Sequence, residues 1–157
     1  YLDTPFHRDA DGYDLAGLPL ERVVGVPGVL VDASSTVIDA TAFRDTDTWG
    51  RAVVIRTHWS RHFGLPHYLG GHPHLSADAA QRLVDGGAAM VLIDSANIDA
   101  TTDGTRPAHT ILLRAGIPIV EHLTNLDQLP STGFTIDAIP PAVRGLGTFP
   151  VRVVARI

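Results

Sequence analysis

Four short apolar runs limit the folds open to this chain more than any other feature. They are residues 29–32 (VLVD), 52–56 (AVVIR), 89–94 (AMVLID) and 117–120 (IPIV), each bounded by Gly, Pro or charge. Runs this short and this continuously apolar read as strands buried on both faces. Further strands are expected at 134–139 and 149–157, where VRVVARI partly alternates as a strand with one wet face does. Helical signals fall between the runs. Ser76 suits an N-cap for residues 77–85, with Asp78 in the first turn and Gly86-Gly87 at the end. Pro107 suits the first turn of a helix reaching Arg114, with Gly116 as its stop. Short helical turns are expected at 18–23 and at 126–129, the second capped by Thr124 or Asn125 and ended by Pro130. This interleaving predicts an α/β fold, a single mixed-sheet domain. A chain of 157 residues is long enough to bury a core of that kind.

Composition removes several function classes. The formal net charge is −5 and no basic patch stands out, so nucleic acid is not an expected partner. The absence of cysteine excludes disulfides and thiolate metal sites, so any ion must be held by His, Asp or Glu. No apolar run approaches the ~20 residues needed to cross a bilayer, and no signal peptide is visible. A membrane is not an expected partner, and the default expectation is a cytoplasmic protein. No G-x-S-x-G, G-x-x-x-x-G-K-[ST] or G-x-G-x-x-G occurs, which removes the serine-hydrolase elbow, the nucleotide P-loop and the dinucleotide fingerprint.

Two segments carry chemistry. In Asp3-Thr4-Pro5-Phe6-His7, Pro5 stiffens the backbone, so Asp3 and His7 leave it in defined directions. The pair suits metal ligation or proton transfer, or equally an Asp cap beside a surface His. In residues 107–126, His109 falls in the first turn of the Pro107 helix, and Glu121 follows the apolar run IPIV. Charges that end buried strands often line sites in α/β folds; a capping imidazole and a solvated strand end are the plainer alternative. Together the segments offer two carboxylates and two imidazoles, a set able to hold a divalent ion and activate its water. A third stretch, residues 57–74, contains His58, His62, His67, His72 and His74. His58 and His62 have helical spacing, but Trp59 stands where a zincin has Glu. With its Gly, Pro and aromatic residues this stretch reads as a lid over a pocket. Asp94, Asn97 and Asp99 could bind a metal but suit strand-end and turn chemistry.

The segments YLDTPFHRDADGYDLAGLPLERVVG, VVIRTHWSRHF, HPHLSADAAQRLVDGGAAMVLIDSANID, PAHTILLRAGIPIVEHLTNLDQLP and PVRVVARI closely resemble the cyclase family, which includes kynurenine formamidase (arylformamidase) and isatin hydrolase. The resemblance spans essentially the whole chain, in order. It implies the family's swivelling β/β/α fold and a divalent-metal amidohydrolase, typically a homodimer or higher homo-oligomer, with a place in tryptophan catabolism. The family signature H-x-G-T-H-x-D-x-P-x-H matches at Asp3, Pro5 and His7. That match makes Asp3 a metal ligand and His7 a ligand or the proton-transfer group, and the family's later His and Glu match His109 and Glu121. Tyr1 stands where the second signature His belongs, and a phenol with a pKa of about 10 is a poor ligand beside an imidazole. His58 replaces a Gly that the family often has before its Trp. The chain opens on these motif residues without a Met, so an N-terminal portion is expected upstream of one cyclase-like domain over 1–157.

The expectations that follow are specific. Metal ligands are Asp3, His7, His109 and Glu121, with His7 and Glu121 as the catalytic groups. The cofactor is a Zn or Mn ion, one or none given Tyr1. The substrate is a small amide, an aryl formamide such as N-formylkynurenine or a cyclic amide, with Phe6, Trp59 and Phe63 against its apolar part. The alternative is a binding protein on the same fold that has lost catalysis.

Overall fold

Apolar residues on both sides of a strand demand cover on both sides of the sheet, and the chain supplies it. The computed structural model describes residues 1–157. Its strands are β1 (Leu2–Asp3), β2 (Val26–Asp32), β3 (Val37–Ile38), β4 (Ala52–Arg56), β5 (His74–Leu75), β6 (Met90–Ile93), β7 (Ile119–Val120), β8 (Thr135–Asp137), β9 (Thr148–Phe149) and β10 (Val154–Arg156). Helix α1 (Ala77–Asp85) lies between β5 and β6, and α2 (Pro107–Arg114) between β6 and β7. Eight strands form one mixed sheet in the order β10-β8-β2-β4-β6-β7-β1-β9; β3 and β5 pair outside it. The four apolar runs lie in its parallel centre, β2-β4-β6-β7.

The ends of this order are β9 and β10, yet they are close neighbours in the chain. Even fully extended, the link from Phe149 to Val154 spans at most about 17 Å, whereas eight strands laid flat hold their edges about 34 Å apart. The sheet must therefore curl until its edges approach. Alternate residues divide between two cores. Val53, Ile55, Val91, Ile93 and Ile119 pack with Leu83 of α1 and Leu112 of α2. Ala52, Val54, Met90, Leu92 and Val120 pack on the other face with Leu2, Val26 and Ile136.

The expected α/β class holds, and both helices have their expected bounds. Ser76 caps α1, its Oγ accepting from the Ala79 N–H at 3.4 Å. The segment 149–157, expected as one strand, is divided into β9 and β10; Pro150 has no N–H to offer a ladder. The short helix expected at 18–23 is a single 3₁₀ turn, Leu20–Arg22, following Pro19. The turn expected at 126–129 spans Leu126–Gln128, and Asn125 precedes it in the left-handed region (φ 61°) without a side-chain cap. Strands β1, β3 and β5 have no counterpart in the sequence reading, because two residues are too few to display a period. No helix is long and apolar enough to cross a membrane.

Leu112 is fully buried on α2, three residues beyond His109. Leu112→Ala should cost about 2–5 kcal/mol, read as a lower urea midpoint with an unchanged slope.

Candidate metal centre

Strand β1 places the first ligand type. It runs antiparallel between β7 and β9, with Asp3 opposite Ile119 and Thr148. The Glu121 N–H donates to the Tyr1 carbonyl at 3.0 Å, which brings Glu121 beside the same strand. After Asp3 the chain is fastened to residue 147: the Thr4 N–H and its Oγ1 both donate to the Gly147 carbonyl, at 2.8 and 3.1 Å. A 3₁₀ turn, Pro5–His7, then carries His7 back toward Asp3. Gly147 permits this approach, since a Cβ there would lie 2.3 Å from the His7 nitrogen and 2.6 Å from its Cα.

Asp3, His7 and His109 each offer a ligand atom, and these atoms lie within 4.8 Å of one another. His109 Nε2 is 3.5 Å from Asp3 Oδ2 and 3.5 Å from Glu121 Oε1. Relative exposure is 4% for Asp3, 1% for His109 and 6% for Glu121, while His7 is half-buried. Glu121 is held by the Ile98 N–H at 2.7 Å and the Asn97 side-chain amide at 3.4 Å. Three of the four expected ligands thus share one mutual cluster, and the fourth, Glu121, meets it through His109. The Tyr1 ring sits edge-on to His122 with centroids 5.6 Å apart.

Asp99, which the sequence offers as a possible metal ligand but more readily as a strand-end or turn residue, supports the cluster from behind His109. Its carboxylate accepts from the backbone N–H groups of Ala108 (2.7 Å) and His109 (3.0 Å) and from His109 Nδ1 (2.7 Å). Helix α2 has no cap of its own, because Arg106 occupies the N-cap position at φ 50° without a side-chain bond. Asp99 supplies the missing acceptor. The same carboxylate takes the Nδ1 proton of His109 and so turns Nε2 toward Asp3 and Glu121, the arrangement by which an outer carboxylate orients a ligand imidazole. A usable signal was present: a helix that starts on Arg-Pro lacks a local acceptor and must borrow one.

The electrostatics fit a cation. Three carboxylates, Asp3, Asp99 and Glu121, are buried around one imidazole, and buried negative charge must be compensated. Burial alone would lower the His109 pKa, but its bonds to Asp3 and Asp99 and the charge of Glu121 raise it to about 9. Burial pushes Glu121 up to about 7, helped by the Asp3 charge and opposed by His109. Asp3 ends below the carboxylate range, because bonds to His109 and Thr148 and the charges of His7 and His109 outweigh its burial. Burial, with the charges of His109, Arg106 and Arg8, lowers the pKa of His7 against the pull of Asp3. Protons thus gather where a divalent ion with oxygen and nitrogen ligands would sit.

The histidine-rich stretch stands apart from this cluster. His58 lies in the left-handed region (φ 62°) ahead of the 3₁₀ turn Trp59–His62, a backbone conformation that favours Gly, the residue the family resemblance leads one to expect there. Its helical spacing to His62 is not realised; His62 Nδ1 instead meets His67 Nε2 at 3.0 Å. The Trp59 indole N–H donates to the Tyr68 carbonyl at 2.9 Å, and Asp94 ties down the start of the stretch through the Thr57 N–H and Oγ1. Phe63 packs edge-on against Tyr68. Phe63, Tyr68, Leu69, Tyr1, His122 and Pro150 border an open cavity of about 740 Å³. Of the three expected pocket aromatics, Phe63 lines this cavity, Trp59 braces the loop behind it, and Phe6 lies half-buried in the turn before His7.

Residues 1–100 match the Cyclase family model, described as "Putative cyclase". A kynurenine formamidase of Maricaulis maris (strain MCS10) is 31% identical over 99% of this chain and 74% of its own length. A solved structure described as a potential metal-dependent hydrolase with cyclase activity superposes with a TM-score of 0.84 at 27% identity, covering 97% of this chain and 74% of its own. Isatin hydrolase A from Labrenzia aggregata, bound to benzyl benzoate, gives a TM-score of 0.84 at 26% identity, covering 98% and 70%.

The raised pKa values set a pH response for the metal-free protein. A group whose folded pKa is raised contributes stability that is lost as pH rises through that pKa. For His109 the loss falls between the ordinary 6.5 and about 9, and for Glu121 between 4.5 and about 7. Histidines with lowered pKa values act only below 6.5. The melting temperature of chelator-treated protein should therefore fall from about pH 7 to about pH 9, and added Zn²⁺ or Mn²⁺ should reduce the fall. A flat melting profile over that range would contradict this charge assignment.

Proposed function

Since the chain belongs to the cyclase family, we propose that it is a metal-dependent hydrolase of small amides, with an aryl formamide such as N-formylkynurenine or a cyclic amide such as isatin as substrate. The observation that carries the proposal is the buried convergence of Asp3, His7 and His109, with Glu121 against His109 Nε2. Asp3, His109 and Glu121 would hold the ion, Zn²⁺ or Mn²⁺, since carboxylates and an imidazole suit either and no thiolate is present. When bound, the ion would polarise the amide carbonyl and lower the pKa of water toward ~7.

The chain's own groups account for the remaining steps. His7 is half-buried and its pKa is lowered by burial, so at neutral pH its imidazole is a free base. It accepts one proton from the attacking water as the new C–O bond forms. As the C–N bond breaks, the same proton passes to the departing nitrogen. Asp99 holds His109 fixed through this cycle, and the lid aromatics, Phe63 foremost, offer a face for an aryl group. Tyr1 offers a phenol where the family signature has an imidazole, a poor ligand at neutral pH, which favours one ion over two.

Three measurements test this. Purified protein loaded with Zn²⁺ or Mn²⁺ should hydrolyse N-formylkynurenine or isatin, and chelation should abolish the activity. Asp3→Ala should lose both metal and activity. His7→Gln should keep its metal while kcat falls about 10²–10⁴-fold. Loss of metal in His7→Gln would make His7 a ligand instead of the proton carrier, and no metal binding in the wild type would sink the proposal.

A further inference from the structure

One side chain beside the metal centre has no part in the account above. His122 follows Glu121 directly and occupies the left-handed region at φ 59°, a costly conformation for a non-glycine residue that often marks a functional position. Three contacts hold it there. Its backbone N–H donates to the Ser95 carbonyl at 3.1 Å. Its ring meets the Tyr1 ring edge-on. Its Nδ1 lies 2.8 Å from the Tyr68 hydroxyl. The ring borders both the 740 Å³ cavity under the lid and a second cavity, of about 490 Å³, that Glu121 also lines. Nε2 meets no protein partner, and it is not among the sealed-off polar atoms, whose one member is His72 Nε2; it therefore opens on the cavity.

The hydrogen bond to Tyr68 decides which nitrogen carries the proton. The Tyr68 phenol is pushed up to about 12 by burial and by the charges of Asp94 and Glu121, so it keeps its proton. The phenol then donates and Nδ1 accepts. A neutral imidazole that accepts at Nδ1 carries its hydrogen at Nε2. The cavity therefore receives a fixed N–H donor one residue from Glu121. Such a donor cannot ligate a metal, and His122 accordingly lies outside the ligand cluster.

We propose that His122 donates a hydrogen bond from Nε2 to the carbonyl oxygen of the bound substrate, with Tyr68 as the positioning residue that sets its tautomer. This rests on the amide-hydrolase reading and deepens it. As water adds to the carbonyl carbon, negative charge builds on the oxygen; the Nε2 proton stays on His122 and stabilises that charge without being transferred. A preset neutral imidazole can act as such an electrophile without titrating. Because Tyr68 belongs to the lid stretch, the donor is aligned only while that stretch is seated.

Two measurements test the proposal separately from hydrolysis. In ¹⁵N NMR of the metal-free protein, His122 should appear as the Nε2-protonated tautomer, and Tyr68→Phe should mix the two tautomers; a wild-type Nδ1-protonated ring overturns the proposal. Acetophenone, an aryl carbonyl with no amide to cleave, should bind roughly tenfold more weakly to His122→Asn than to wild type; Asn tolerates the left-handed backbone. Equal binding overturns the proposal whether or not the protein hydrolyses amides. In active enzyme, His122→Asn should raise KM in step with the weaker acetophenone binding and lower kcat about 10²–10³-fold, with metal affinity close to wild type, and Tyr68→Phe should lower kcat less. Loss of metal in His122→Asn would make it a ligand and overturn the donor role. An inactive wild type that still discriminates acetophenone would sink the hydrolase reading and leave the donor standing.

Discussion

The bond between Asp99 and His109 is the contact on which the candidate site depends. It satisfies two needs of the chain with one carboxylate. Helix α2 begins on Arg106-Pro107 and has no acceptor of its own for its first N–H groups; Asp99 provides one. The imidazole in that first turn has two nitrogens, and Asp99 commits one of them, so the other must face Asp3 and Glu121. Removing this carboxylate would at once uncap the helix and free the ring to rotate. Folding and ligand geometry are thus coupled at a single residue, and a change there cannot be assigned to one of them by activity alone.

The strand order of the sheet explains why residues far apart in sequence meet at this point. The parallel centre of β2, β4, β6 and β7 ends in loops that deliver Asp99 and Glu121, as the ends of parallel strands commonly do in α/β sheets. The first strand then inserts antiparallel beside β7 and adds Asp3 from the opposite chain direction. Pairing of β9 with the other side of β1 sets Gly147 against the turn that carries His7.

Much of this was legible in the sequence, and the reasons differ by element. The four apolar runs announced the sheet because burial on both faces leaves no polar alternation. Ser76 and Pro107 announced the helix starts because their chemistry is local. Asp3, His7, His109 and Glu121 were visible as ligand types, two of them through a motif, His109 through its place in the first turn of the Pro107 helix and Glu121 through its place after an apolar run. The role of Asp99 was not visible, because its partner sits ten residues on and the bond exists only after folding. Nor could spacing alone reveal that His58 and His62 diverge, since i,i+4 spacing has meaning only in an α-helix and the chain makes a 3₁₀ turn there. The pairing of β9 and β10 with opposite edges of the sheet is a property of the closed topology and leaves no local trace.

The distribution of backbone strain adds an independent argument. Only four non-glycine residues have positive φ: His58, Arg106, His122 and Asn125. Each such conformation costs of order 1 kcal/mol or more relative to an ordinary backbone. They are not scattered. Arg106 immediately precedes the helix that carries His109, His122 immediately follows Glu121, and His58 opens the lid. Asn125 closes the same short loop that begins with His122. Glycine would relieve the strain at any of these positions but would also free the backbone that aims the neighbouring side chains. The chain accepts strain where direction matters, at the junctions between the buried sheet and the groups that converge on one point.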